Sequence, residues 1–176
     1  MYIGSSDSDI QCNIALNGNV VIYGSFSVAN SKCWIFTAYE DNVANYTLTI
    51  VGDGSSRNIR GEIEPLCITE SAELYSNAPI NVNSNTDESM CGMNVLFDSK
   101  FYDSNMTGLT ITGTFTDGAI RCIHSTIRGK FSLANAIAPV SFAAHDSIVQ
   151  SINAVESQTI LPYQNLFTGG NLHVIS

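Results

Sequence analysis

Two histidine segments and a scatter of acids are where this chain could do chemistry. Cys122-Ile123-His124-Ser125-Thr126-Ile127 and Ala143-Ala144-His145-Asp146-Ser147-Ile148 place His124 and His145 21 residues apart. Two imidazoles beside Asp146 make a conceivable metal set, and Ser125, His124 and Asp146 supply the three residue types of a nucleophilic triad. Adjacent residues of a strand point to opposite faces, however, so Ser125 and His124 cannot share a proton there. Neither a metal nor another cofactor is expected. Hydrolysis of a glycosidic bond needs two carboxyl groups about 5–9.5 Å apart. Asp98, Asp117 and Asp146 are weak catalytic candidates of that kind, followed by Asp103, Glu62, Glu64, Glu70 and Glu73. Binding without catalysis asks less, and Trp34, Tyr39, Tyr46, Tyr75 and Tyr102 are candidate platforms for stacking on a sugar. Trp34, between Cys33 and Ile35, reads equally well as a core residue.

The composition narrows the partners. Of 176 residues 13% are charged, and the 16 acidic and 7 basic side chains give a net charge of −9. The basic residues are scattered, so nothing could neutralise a run of phosphates, and nucleic acid is not an expected partner. No stretch reaches the roughly 18 apolar residues of a spanning helix, and the start, MYIGSSDSDI, lacks the pattern of a signal peptide. The expectation is either cytoplasmic residence until release or a segment of something larger. Cys12, Cys33, Cys67, Cys91 and Cys122 are odd in number and lack C-x-x-C spacing. Mostly buried thiols are therefore expected, rather than a full disulfide framework or a zinc site.

The elements that must position these residues are strands. Short alternating runs such as Asn19-Val20-Val21-Ile22-Tyr23-Gly24, Tyr46–Gly54 and Leu109–Gly113 are rich in β-branched residues and end in turn formers, whereas helical periodicity is nearly absent. An all-β protein follows, either a solenoid of parallel strands or a β-sandwich of hairpins. Self-similarity separates the two: Cys12-Asn13-Ile14 and Cys33-Trp34-Ile35 lie 21 residues apart, as do His124 and His145. Coils of about 21 to 26 residues stacked about 4.8 Å apart would give roughly six to eight coils. That geometry predicts His124 over His145 at one corner, with Ile127 over Ile148 inside. The expected organisation is an N-terminal tether or cap at 1–10, the solenoid at 11–160 and a C-terminal cap or contact segment at 161–176. Ser76–Pro79 and Asn81–Ser89 read as a polar protruding loop.

The run Ala119–Gly129, followed by Ser141–Ser151 with its His145-Asp146-Ser147-Ile148-Val149 corner, resembles coils of the pectin-lyase-like superfamily of right-handed parallel β-helices. The resemblance is best over 90–155. It implies a single right-handed β-helix, in a superfamily that includes polysaccharide lyases, hydrolases, phage tailspikes and adhesins. The acids here match neither the Asn-x-Asp and Asp-Asp signatures of polygalacturonases nor the Arg-bearing motif of pectate lyases. The expectation is accordingly non-enzymatic: a structural or receptor-binding module of a virion fibre, tailspike or surface adhesin. It would recognise cell-surface glycans, assemble as a homotrimer and sit on a virion or cell surface without inserting in a membrane. A polysaccharide lyase or glycoside hydrolase, and a self-polymerising scaffold resembling bactofilins, are the alternatives.

Overall fold

The computed structural model describes residues 1–7, 9–41, 43–103, 108–112, 120–128, 131–134, 141–145, 147–150, 164–167 and 172–175; from Arg128 onward it defines strands and their pairing alone. All regular elements among these are β. In chain order they are β1 (Tyr2–Gly4), β2 (Gln11–Ala15) and β3 (Val20–Tyr23); then β4 (Phe26–Ala29), β5 (Lys32–Phe36), a small hairpin of β6 (Tyr39–Glu40) and β7 (Val43–Ala44), and β8 (Leu48–Gly52). There follow β9 (Leu66–Thr69), β10 (Glu73–Ser76), β11 (Ile80–Ser84), β12 (Met93–Leu96), β13 (Lys100–Asp103) and β14 (Leu109–Thr112). The last are β15 (Ile120–Ile123), β16 (Thr126–Arg128), β17 (Phe131–Ala134), β18 (Ser141–His145), β19 (Ser147–Gln150), β20 (Gln164–Phe167) and β21 (Leu172–Ile175).

Outside the β6–β7 hairpin the chain deals the strands from β1 to β19 in rotation to three sheets, and β20 and β21 then join the first two. Sheet A runs β1-β4-β9-β12-β15-β18-β20, sheet B β2-β5-β10-β13-β16-β19-β21, and sheet C β3-β8-β11-β14-β17. Every pairing within the three is parallel. Parallel neighbours cannot be joined by tight turns, so the sandwich of hairpins is not what forms. β1 lies inside the segment expected as a tether, and β20 and β21 lie inside the expected C-terminal cap.

Alternation along each strand builds the core, because residues two apart share a face. In sheet A the inward columns are Phe26-Leu66-Met93-Ile120 and Val28-Ile68-Val95-Cys122; in sheet C they are Leu48-Ile80-Leu109 and Ile50-Val82-Ile111. Sheet B contributes Cys33-Leu74-Phe101-Ile127. All of these side chains are buried. Part of the segment expected as a loop after Ile80 is instead strand, residues 81–84 completing β11: Ile80 and Val82 face inward while Asn81 sits between Thr49 and Thr110. Its asparagines face outward, which is why the polar composition misled.

The passage from sheet A to sheet B is one repeated corner. Asn30, Glu70 and Ser71, Phe97 and Asp98, and His124 all adopt positive φ there, between 44° and 61°. After each comes a small buried residue, Ser31, Ala72, Ser99 or Ser125. Parallel hydrogen bonding continues through the corner: Glu73 N donates to Ser31 O at 3.0 Å, Lys100 N to Ala72 O at 2.8 Å, and Thr126 N to Ser99 O at 3.0 Å. Ser99 and Ser125 turn their hydroxyls onto the carbonyls of Leu96 and Ile123, each at 2.6 Å. The corner thus carries the chain from one sheet to the next without leaving these buried hydroxyls unpaired.

The earlier repeat is in register: Cys12 faces Cys33 and Ile14 faces Ile35. The later one slips by a residue. Ile123 faces His145, Thr126 faces Ile148 and Ile127 faces Val149, a step of 22 rather than the 21 implied by matching the histidines. A one-residue slip exchanges the two faces of a strand, so pairing follows the apolar column and not the visible His-to-His match.

Candidate functional site

The outward face of sheet B carries the most organised side chains. Lys32, Cys33, Trp34, Ile35 and Phe36 alternate, with Cys33 and Ile35 buried and Trp34 and Phe36 45% and 43% exposed. Trp34 is therefore a surface residue. Parallel register puts Asn13, Trp34, Tyr75 and Tyr102 in one column. The three rings stack, Trp34 on Tyr75 and Tyr75 on Tyr102, each pair with centroids 4.8 Å apart and planes inclined by 25° and 24°. Inter-strand spacing and ring thickness match closely enough that each ring covers one face of the next. On its other side Trp34 has Asn13 as column neighbour, and among the described residues no ring covers that face.

Beside it lies an open groove of about 460 Å³, lined by Asn13, Trp34, Ile35, Phe36, Tyr75, Ser76 and Asn77. One wall is held by the insertion between β5 and β8. The Asn77 side chain accepts from Thr37 N at 2.8 Å and donates to Thr37 O at 3.2 Å, while the Tyr39 hydroxyl donates to Asn77 O. Of the five aromatic residues named from sequence, three form the ladder and Tyr39 pins this wall. Tyr46 instead packs against the core.

Two residues earlier on the same strands, and so on the same outward face, is a charged column, Lys32-Glu73-Lys100. Lys100 Nζ lies 2.8 Å from Glu73 Oε1, and the Tyr75 hydroxyl donates to Glu73 Oε2 at 2.7 Å. Burial pushes the Glu73 carboxyl up, but the hydrogen bonds from Lys100 and Tyr75 and the charges of Lys100 and Lys32 outweigh it and leave it below its usual range. Burial and the bond to Glu73 raise the Tyr75 phenol well above its ordinary value. This charged column fixes the tilt of the middle ring.

The acids proposed for catalysis do not converge on the groove. Asp98 and Glu70 are exposed positive-φ corner residues. Asp103 is buried and accepts from Gly108 N at 2.7 Å. Asp117 and Asp146 lie outside the described residues. His124, the residue that first suggested chemistry, is an exposed corner residue with φ 45°; histidine is among the types enriched in that conformation. Among the described residues no cluster of His, Cys, Asp and Glu is suited to a metal.

Glu62 and Glu64 belong to a second arrangement, on the outward side of sheet A. Arg121 Nη2 is 3.4 Å from Glu62 Oε2 and Arg121 Nη1 3.5 Å from Asn94 Oδ1. Asn58 donates to Glu62 at 2.7 Å, Asn94 donates to Glu64, and the Cys91 thiol reaches Asn94 Oδ1 at 3.4 Å. Burial raises the Glu64 carboxyl, against the opposing pull of Asn94 and Arg121. Burial likewise lifts the Cys67 and Cys91 thiols to about 12, far from reactive thiolates. These groups fasten the segment 53–65 over sheet A, and they are occupied with one another.

Sequence reasoning missed Asn13, Phe36 and Asn77. The alternation Cys33-Trp34-Ile35-Phe36 contained the signal for Phe36, because burying Cys33 and Ile35 forces both aromatic residues outward. Asn13 and Asn77 carried none, since their places depend on register and on the insertion. Comparison with protein families, characterised proteins and solved structures finds no match to this chain.

Proposed function

We propose that the three parallel sheets are the faces of a single right-handed β-helix, and that this rod binds saccharides in the groove under Trp34. Support for the solenoid is the fixed rotation of strands among the sheets, with in-register parallel partners one cycle apart. Crossover connections between parallel strands are right-handed in about 98% of cases, which favours that hand. Seven strands in sheets A and B would then mark seven coils.

The observation that carries the binding reading is the half-exposed Trp34 ring at the end of a ring ladder, with an amide, Asn13, and no further described ring beside it. A pyranose presents a C–H face to an aromatic plane and a rim of hydroxyls to amides. Asn13 and Asn77 line the rim of this groove, and its volume falls within the roughly 300–1,000 Å³ of small-ligand sites. The ladder holds Trp34 in place before a ligand arrives, which lowers the ordering cost of binding. No carboxylate lines the groove, so recognition without bond cleavage is the reading favoured over a lyase or hydrolase. The setting we propose is the shaft of a virion fibre or surface adhesin, present as a homotrimer; light scattering on the purified chain would give a mass of three copies.

Trp34 is the sole tryptophan, so its emission reports the site directly. A glycan array followed by fluorescence titration should find oligosaccharides that shift that emission, and calorimetry should show Trp34→Ala binding roughly tenfold or more weakly. An array without hits, or a Trp34→Ala protein that binds as well as the parent, overturns the assignment.

A second reading, end-to-end self-association, is favoured by the first strands. Ile3, Ile14 and Ile22 are only partly buried, whereas their register partners Val28, Ile35 and Ile50 are fully buried; Tyr2, Val21 and Tyr23 are exposed. Such an apolar edge is a template for another chain. Filaments seen by electron microscopy would support it, and a chain that stays dispersed at high concentration would reject it.

A further inference from the structure

Of the five cysteines, Cys12 and Cys33 alone are register partners on adjacent strands. Cys67 faces Ser27 and Asn94, Cys122 faces Val95 and Ala144, and Cys91 lies outside the strands. Cys12 and Cys33 occupy one inward column, continued by Leu74 and Phe101. Neighbouring parallel strands lie about 4.8 Å apart. That falls within the roughly 4.4–6.8 Å Cα separation at which disulfides occur, and partner side chains point the same way. Forming the S–S bond asks for a small approach of the two strands. β2 is the terminal strand of sheet B among the described residues, so it can approach β5 without leaving another partner. Cys12 is half-buried and open to a small reagent, whereas Cys33 is fully buried.

We infer that Cys12 and Cys33 form a reversible disulfide that staples β2 to β5. The oxidant is a small-molecule disulfide of the glutathione class. The Cys12 thiolate attacks one glutathione sulfur, forming a mixed disulfide and releasing one glutathione thiolate. Cys33, deprotonated, attacks the Cys12 sulfur and expels the second. Two protein thiols lose two electrons and two protons to one glutathione disulfide, which leaves as two thiols. Burial, then the charge and hydrogen bond of the free Cys12 thiol, hold the Cys33 thiol at about 12, and among the described residues Cys12 is the one titratable group acting on it. Burial still opposes ionisation of Cys33 once Cys12 is capped, so the closing step quickens as pH rises. Because Asn13 and Trp34 directly follow the two cysteines, the staple also fixes the spacing beneath the open tryptophan face.

The test incubates the intact folded chain with glutathione disulfide and reads its mass, its linked peptides and its melting temperature. Expected are the loss of two hydrogens, a Cys12–Cys33 peptide, and a melting temperature higher by roughly 5 °C or more, reversed by dithiothreitol. Cys33→Ser should stop at a single glutathione adduct on Cys12. A native chain that keeps glutathione on Cys12, stays unmodified or links other cysteines overturns the inference, and none of these results depends on saccharide binding.

Discussion

Trp34 and Tyr75 stack face to face at 4.8 Å, although β5 and β10 are separated in sequence by a hairpin, a further strand of sheet C and a strand of sheet A. Tyr75 is the middle ring, so Tyr75→Ala removes two stacking contacts and the hydroxyl bond to Glu73, whereas Tyr102→Ala removes one contact. Each ring pair contributes about 0.5–1.5 kcal/mol beyond burial. Urea denaturation should show Tyr75→Ala less stable by about 2–3 kcal/mol and Tyr102→Ala by about half as much. Equal losses would mean that the rings act independently.

Glu73 and Glu64 should respond to pH with opposite sign. The Glu73 carboxyl is depressed in the fold, so its contribution is present above its ordinary value of 4.5 and fades as pH falls through the folded value. Its partner Lys100 is 41% exposed, which limits the pair to about 0.5 kcal/mol. Glu64 is raised, so its contribution is full below 4.5 and is lost as pH rises through its folded value. Glu64→Gln should therefore melt higher than the parent at pH 7 and close to it at pH 4, and Glu73→Gln should melt lower at pH 7. Melting curves at the two pH values decide both.

Arg121→Met should cost more than Glu62→Gln. The Glu62 side chain is 5% exposed, and removing the guanidinium withdraws its cationic partner while the carboxylate stays buried. Losses of about 3–5 kcal/mol follow such one-sided removal. Replacing Glu62 by its amide keeps a group that Asn58 can still meet. Chemical denaturation of the two variants should rank them in that order.

Gly52→Ala should destabilise through crowding at the inner end of β8. A methyl at this position would meet Ile63 Cγ2 at 2.6 Å and Pro65 Cγ at 2.9 Å. Overpacking of this kind costs about 1–3 kcal/mol. Gly18→Ala, with open space around it, should leave the melting temperature unchanged.

The all-β class, the inward Cys33 and Ile35, and the match of Cys12 to Cys33 were legible in the chain, because strand alternation and a short connection are local properties. Trp34, Tyr75 and Tyr102 were recognisable as aromatic residues able to stack on a ligand, but not as neighbours. Their column depends on connections of unequal length, since the β6–β7 hairpin and segment 53–65 lengthen one cycle while later cycles are shorter. Lengthening a loop costs little entropy, so nothing holds the sequence period constant. Register is fixed instead by backbone pairing and by burial of one face. Those forces put Ile123, not His124, opposite His145, made a strand of Asn81–Ser84, and left His124 as a left-handed corner residue. The sequence by itself determined which residues alternate; only the tertiary structure decided which of them meet, because that choice is made by hydrogen bonds between strands that the chain order leaves far apart.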